Sequence, residues 1–148
     1  MNAKGGTNSF DGHPQVTNTN IAELNQGIDA WVENDFSGAC PVRDLLDRIG
    51  DKWSVLIILR LGQQDERFRA LLRAIEGISQ RMLTVTLRGL ERDGLVHREV
   101  FDTRPPSVVY SLTPLGVSLL GHISSLTDWA LENATTVELA KSRYDANT

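Results

Sequence analysis

The chain has 148 residues, a net charge of −4, 41% hydrophobic and 23% charged residues, which is ordinary for one soluble globular domain with enough chain for a real core. No apolar run approaches the ~20 residues of a membrane span, and residues 1–12 have no apolar segment of the secretory kind. A single cysteine excludes an internal disulfide, so a cytoplasmic protein is expected.

Residues 1–19 are rich in Asn, Gly, Thr and Ser, have almost nothing to bury, and predict a disordered tail. Residues 20–36 predict a helix, with Asn20 and Glu23 in a capping-box arrangement. Ile21, Leu24, Ile28 and Trp31 follow at 3-4-3 spacing, a seam suited to another helix. Gly27 weakens this short helix, which therefore needs a partner surface on its own domain or on a second subunit. Residues 36–39 read as a linker. Cys40-Pro41 begins the next helix, with proline suited to its first turn and Val42, Leu45, Leu46 and Ile49 on its core face. Gly50 interrupts, residues 53–61 continue as a strongly apolar helix, and Gly62 ends it. Lys52, at the start of that helix, either reaches a phosphate or is solvated.

Residues 68–93 read as two short helices joined by a tight turn. Phe68, Leu71, Leu72 and Ile75 recur at helical spacing. Gly77 offers the positive φ that ends a helix, and Ser79 is a fitting N-cap for the next. Leu83, Leu87 and Leu90 then form one stripe, away from Gln80, Arg81, Thr84, Val85 and Arg88, and Gly94 stops the run. Gly89 falls inside this helix at a cost of ~1 kcal/mol relative to alanine. A helical hairpin would look similar so far, but two β-prone runs come next, at 95–101 and 108–112. Between them lies Asp102-Thr103-Arg104-Pro105-Pro106-Ser107, whose prolines suit a projecting loop rather than a ladder. Helix, turn, helix and hairpin in that order predict a winged helix-turn-helix, mainly α with a small β-hairpin (α+β).

Thr113-Pro114 opens a last long helix over 114–134. Leu115, Leu119, Ile123, Leu126 and Ala130 form a stripe longer than a small wing can cover, which argues for a dimer interface. Residues 135–148 are expected to be a polar tail, with at most a frayed turn over 137–144.

Several blocks of text carry a more specific signal. They are Cys40-Pro41-Val42, Ile49-Gly50-Asp51-Lys52-Trp53-Ser54-Val55-Leu56-Ile57 and Arg67-Phe68-Arg69-Ala70-Leu71. Gly77-Ile78-Ser79-Gln80-Arg81-Met82-Leu83-Thr84, Leu90-Glu91-Arg92-Asp93-Gly94-Leu95-Val96 and Tyr110-Ser111-Leu112-Thr113-Pro114-Leu115-Gly116 follow in order. In these, residues 40–116 resemble the HxlR family of bacterial transcriptional regulators. The resemblance implies a DNA-binding winged helix-turn-helix over 40–113 and a homodimer made by the terminal helices, here 20–36 and 114–134. It also implies a double-stranded operator as partner.

The charge distribution fits a local footprint. Residues 1–39 sum to −4, residues 40–66 to −1 and residues 105–148 to −2, whereas residues 67–104, with eight Arg and five acids, sum to +3. Gln80, Arg81, Thr84, Val85 and Arg88 are the residues expected to face DNA from the second helix. Arg81 is the candidate for a bidentate guanine contact and Val85 for a thymine methyl. Arg104 on the wing would read phosphate or the minor groove, with Lys52, Arg67 and Arg69 as further phosphate candidates. The competing class is a winged-helix module that binds protein or RNA and not DNA. No catalytic constellation, phosphate-binding glycine loop or paired-cysteine motif is visible, and His13, His97 and His122 are scattered without ligand spacing. No enzyme activity, cofactor or metal is therefore expected.

Cys40 has reactive potential because a helix N-terminus favours the thiolate and Arg43 lies one turn away. It reads equally as a small buried apolar residue. In the resembling family a cysteine before proline at this place is the sensing thiol of members that answer oxidants, quinones or aldehydes, and other members keep it without that role. A small electrophile or oxidant would then be the inducer.

Overall fold

Asp51 divides the apolar stretch that follows Pro41 into two helices. Its carboxylate accepts hydrogen bonds from the Ser54 backbone N–H at 3.1 Å and the Ser54 hydroxyl at 2.7 Å, so it caps the second helix and satisfies a fully buried serine. The computed structural model describes residues 41–148, and side chains from Asp44 onward. The expected tail at 1–19, the helix at 20–36, the linker and Cys40 lie outside the described residues.

The elements are α1 (Pro41–Gly50), α2 (Lys52–Gln63), β1 (Glu66–Arg67), α3 (Phe68–Ala74), α4 (Gln80–Arg92), β2 (Val96–Phe101), β3 (Ser107–Leu112) and α5 (Pro114–Ala146). Helix α2 is central, as its apolar run predicts, and buries Ile57, Ile58 and Leu61. Leu71 of α3, Leu83, Leu87 and Leu90 of α4, Leu95, and Ile123 of α5 pack around it, with Ile75, Ile78, Val96 and Tyr110 in the same core.

The strands form one antiparallel sheet in the order β1-β3-β2. The hairpin pairs Val96 with Leu112, Arg98 with Tyr110 and Val100 with Val108, so these six share one face. Strand β1 is not expected from sequence. It is two residues long, Glu66 and Arg67 have low β-propensity, and only their pairing with Tyr110 and Val109 makes them a strand.

Thr113 caps α5 by accepting from Gly116 N at 3.1 Å, and its hydroxyl donates to the Gly94 carbonyl at 2.6 Å. Gly116 is buried against the Leu95 carbonyl, where a Cβ would collide with that oxygen. Helix α5 corrects the expected boundary at 134, because it continues through 135–146 instead of giving way to a polar tail. No Gly or Pro follows Gly121 to stop it. Lys141 pairs with Glu138 one turn earlier at 2.8 Å, and Arg143 faces the negative helix end. Polar composition removed the core-facing stripe and not the helix. The fold is mainly α with a small antiparallel sheet, a winged helix-turn-helix. Among the described residues no helix is long and apolar enough to cross a membrane.

Candidate nucleic-acid interface

The turn between α3 and α4 is set by backbone chemistry. Ile75 N–H closes α3 on the Leu71 carbonyl at 3.0 Å, Gly77 takes a φ of +85°, and Ser79 Oγ accepts from Met82 N at 3.0 Å to start α4. Helix α4 buries Leu83, Thr86, Leu87 and Leu90. Thr86 is tolerated there because its hydroxyl donates to the Met82 carbonyl at 2.7 Å. The opposite side carries Gln80, Arg81, Val85 and Arg88, all exposed, with Thr84 half-buried and donating to the Gln80 carbonyl at 2.9 Å. Thr84, Val85 and Arg88 stand three, four and seven positions after Arg81, so the four share one face.

The wing projects from β2 and β3. Thr103 braces its tip: its N–H donates to the Phe101 carbonyl at 2.8 Å, and its hydroxyl donates to the Pro105 carbonyl at 2.9 Å and lies 3.2 Å from Ser107 Oγ. Arg104 is exposed on that tip.

Two clefts adjoin α4 and share Phe68. One, of about 500 Å³, lies between α4 and the wing and is lined by Thr84, Arg88, Glu91, Arg98 and Tyr110. The other, of about 400 Å³, lies between α3 and the start of α4 and is lined by Arg69, Leu72, Arg73 and Gln80. The structure thus brings Thr84, Arg88, Arg69 and Gln80 of the expected set to the cleft walls. Arg81 and Val85 stand exposed on the α4 surface, and Arg67 is exposed on β1. Lys52 does not line either cleft and sits over the Trp53 ring, 4.4 Å from its centroid. Arg73 and Arg98 were not anticipated as site residues. Arg98 alternates with Val96 and Val100, and that alternation places it on the strand face shared with Tyr110. Arg73 lies one turn after Arg69.

The arginines from 48 to 104 divide into two groups. Arg48 and Arg60, on α1 and α2, are ion-paired to Asp93 and Glu66. Among the described residues, Arg67, Arg69, Arg73, Arg81, Arg88, Arg92, Arg98 and Arg104 have no ion pair within 4 Å. Every arginine of the helix-turn-helix and wing is therefore left with its donors open to solvent or a ligand. Beneath Arg67, Glu66 is buried and charged. A hydrogen bond from Gln64 Nε2 at 2.7 Å and those from Arg60 hold its carboxyl below the ordinary value, against the opposing effect of burial.

Residues 48–138 match the HxlR-like helix-turn-helix family pattern. The HTH-type transcriptional regulator YdeP of Bacillus subtilis (strain 168) is 46% identical over 103 residues, covering 70% of this chain and 79% of YdeP. Among solved structures, the transcriptional regulator ytfH from Salmonella typhimurium superposes with a TM-score of 0.67 at 36% identity, covering 72% of this chain and 96% of that one. The redox regulator HypR in its reduced form gives 0.62 at 40% identity, covering 67% and 98%. The matching family and relatives are transcriptional regulators and not enzymes. With the family pattern spanning more than half its length, the chain belongs to the HxlR family of helix-turn-helix transcriptional regulators.

Proposed function

We propose that this regulator binds double-stranded DNA as a homodimer, with the first turns of α4 reading base edges in the major groove and the wing on the adjacent backbone. The observation that carries this reading is the division of the arginines. Between residues 48 and 104, the arginines without an ion-pair partner run from Arg67 to Arg104, where phosphates would meet them, and the two paired ones, Arg48 and Arg60, lie on α1 and α2. Arg81 and Val85 are the base-reading candidates, Thr84 and Gln80 flank them, and Arg69, Arg73, Arg88, Arg98 and Arg104 are phosphate candidates. Lys52 and Arg67 are at most peripheral to the clefts.

The dimer reading rests on α5. Leu119, Ile123, Leu126, Ala130, Asn133, Val137, Ala140 and Tyr144 recur at alternating spacings of four and three, a coiled-coil repeat. From Leu126 onward the large apolar members of that seam are exposed, as are the neighbouring Trp129 and Leu131. Cys40 is proposed as a thiol through which an oxidant or small electrophile relieves DNA binding. The likeness to a redox regulator and the cysteine's place before Pro41 support this.

The test is the salt dependence of binding to a duplex that the full-length protein enriches from a random pool. Phosphate contacts give a log–log slope of about −0.9 per contact, so several contacts make binding fall steeply with salt. A flat response, or no enriched duplex, would favour the protein-binding class, and preference for RNA would favour the RNA class. Sedimentation of the full chain at micromolar concentration tests the dimer.

A further inference from the structure

Helix α4 has a glycine in its interior, where glycine is less favourable than alanine. The structure shows what takes the place of the missing side chain. The guanidinium of Arg48, from α1, lies against Gly89, and a Cβ built there would stand 2.7 Å from both Nη1 and Nη2 and 2.9 Å from Cζ. The same guanidinium donates through Nε to Asp93 Oδ2 at 2.7 Å. Asp93 is the C-cap of α4, and its backbone N–H bonds back to the Gly89 carbonyl at 3.0 Å. One planar cation thus covers the bare backbone at Gly89 and holds the residue that ends the helix. Both partners are about three-quarters buried, which shields the pair from the screening that weakens surface ion pairs.

We infer that Arg48 is a positioning residue for DNA reading: it latches the C-terminal end of α4 to α1, and position 89 is glycine to admit it. The inference rests on the proposal that α4 reads DNA. Thirteen helical residues span about 20 Å, so a small tilt at the Asp93 end displaces Arg81 at the other end. Base contacts tolerate about 0.5 Å of error, and phosphate contacts through long flexible side chains tolerate more. Loss of the latch should therefore reduce discrimination between sequences more than general affinity. Asp44, Asp47, Asp51 and Arg92 line the same hollow as Arg48 and Asp93. That surplus of carboxylates favours a cation at 48, and a lysine would keep the charge. Only arginine supplies a plane that can lie on Gly89 and still hydrogen-bond Asp93.

The experiment uses the full chain and two probes, a duplex enriched by the wild type from a random pool and a random duplex of equal length. Arg48→Lys, Arg48→Ala and Gly89→Ala should each lower the ratio of enriched to random affinity about fivefold or more, with random-duplex affinity little changed. The double variant Arg48→Ala/Gly89→Ala should be no worse than Arg48→Ala alone, because no guanidinium remains to be displaced and alanine suits a helix interior better than glycine. Thermal unfolding identifies any variant that fails to fold, and Arg48→Lys, the mildest change, carries the test in that event. A folded Arg48→Lys protein with the wild-type ratio overturns the latch, as does a Gly89→Ala penalty that adds in full to that of Arg48→Ala. A wild type that enriches no duplex overturns the DNA reading itself, and the latch with it.

Discussion

Arg60 Nε stands 2.8 Å from Glu66 Oε1, and that oxygen also accepts from Gln64 Nε2 at 2.7 Å, so one buried carboxylate ties the end of α2 to the edge strand β1. The hydrogen bond from Gln64 and those from Arg60 hold the Glu66 carboxyl below its ordinary value. A carboxyl so depressed stabilises the fold in full above its ordinary, unfolded pKa, and that stability is lost as pH falls through the lower, folded value. Glu66→Gln should remove much of the acid-side decline in urea midpoint and lower stability at neutral pH by about 1 kcal/mol. An unchanged acid slope would show that other carboxylates govern it.

Arg81 is exposed in the first turn of α4, where helix-turn-helix proteins meet base edges. Arg81→Ala should narrow the gap between enriched and random duplexes by about 1–3 kcal/mol, the worth of one bidentate base contact. Equal weakening of both would assign Arg81 to phosphate.

Arg98 and Arg104 sit at the two ends of the wing, one in the cleft beside Arg88 and the other on the tip. Each alanine substitution should lower affinity for all duplexes alike and flatten the salt slope by about one unit. An unchanged slope for Arg104→Ala removes the tip from the interface, and one for Arg98→Ala removes the cleft.

Cys40 is the chain's only thiol. Diamide takes two electrons and two protons from a pair of thiols and leaves a disulfide. Here that pair must be two Cys40 residues from two subunits, or Cys40 and an added small thiol. Treatment should release wild-type protein from its enriched duplex and leave Cys40→Ser bound. An identical response from the two proteins would make Cys40 structural.

Much of the fold is legible in the sequence because local rules carry it. Gly77 marks the turn by its positive φ, Ser79 caps α4, and Leu83, Leu87 and Leu90 define the buried stripe. Strand β1 is not legible, since two polar residues become a strand only through a partner far along the chain. The extension of α5 to Ala146 is obscured by a loss of apolar periodicity that the helix does not require. At the candidate site, an outward face on α4 can be read from spacing alone. The place of Arg98 requires the hairpin register, and the pairing of Arg48 with Gly89 joins residues whose contact no periodicity encodes.

The close seat of Gly116 on the Leu95 carbonyl fixes the angle at which α5 leaves the hairpin. A 33-residue helix spans about 50 Å, so a change of about 5° in that angle would swing its far end by roughly 4 Å. In a dimer joined along α5, the same rotation acts in reverse. With the seam fixed, it would change the distance between the two reading heads, and hence the spacing of half-sites they can straddle. A side chain as small as that of alanine at position 116 would push against the Leu95 carbonyl and change that angle. Selection for a new half-site spacing would therefore act at 116, a residue far in role from any base, and leave the reading surface of α4 intact.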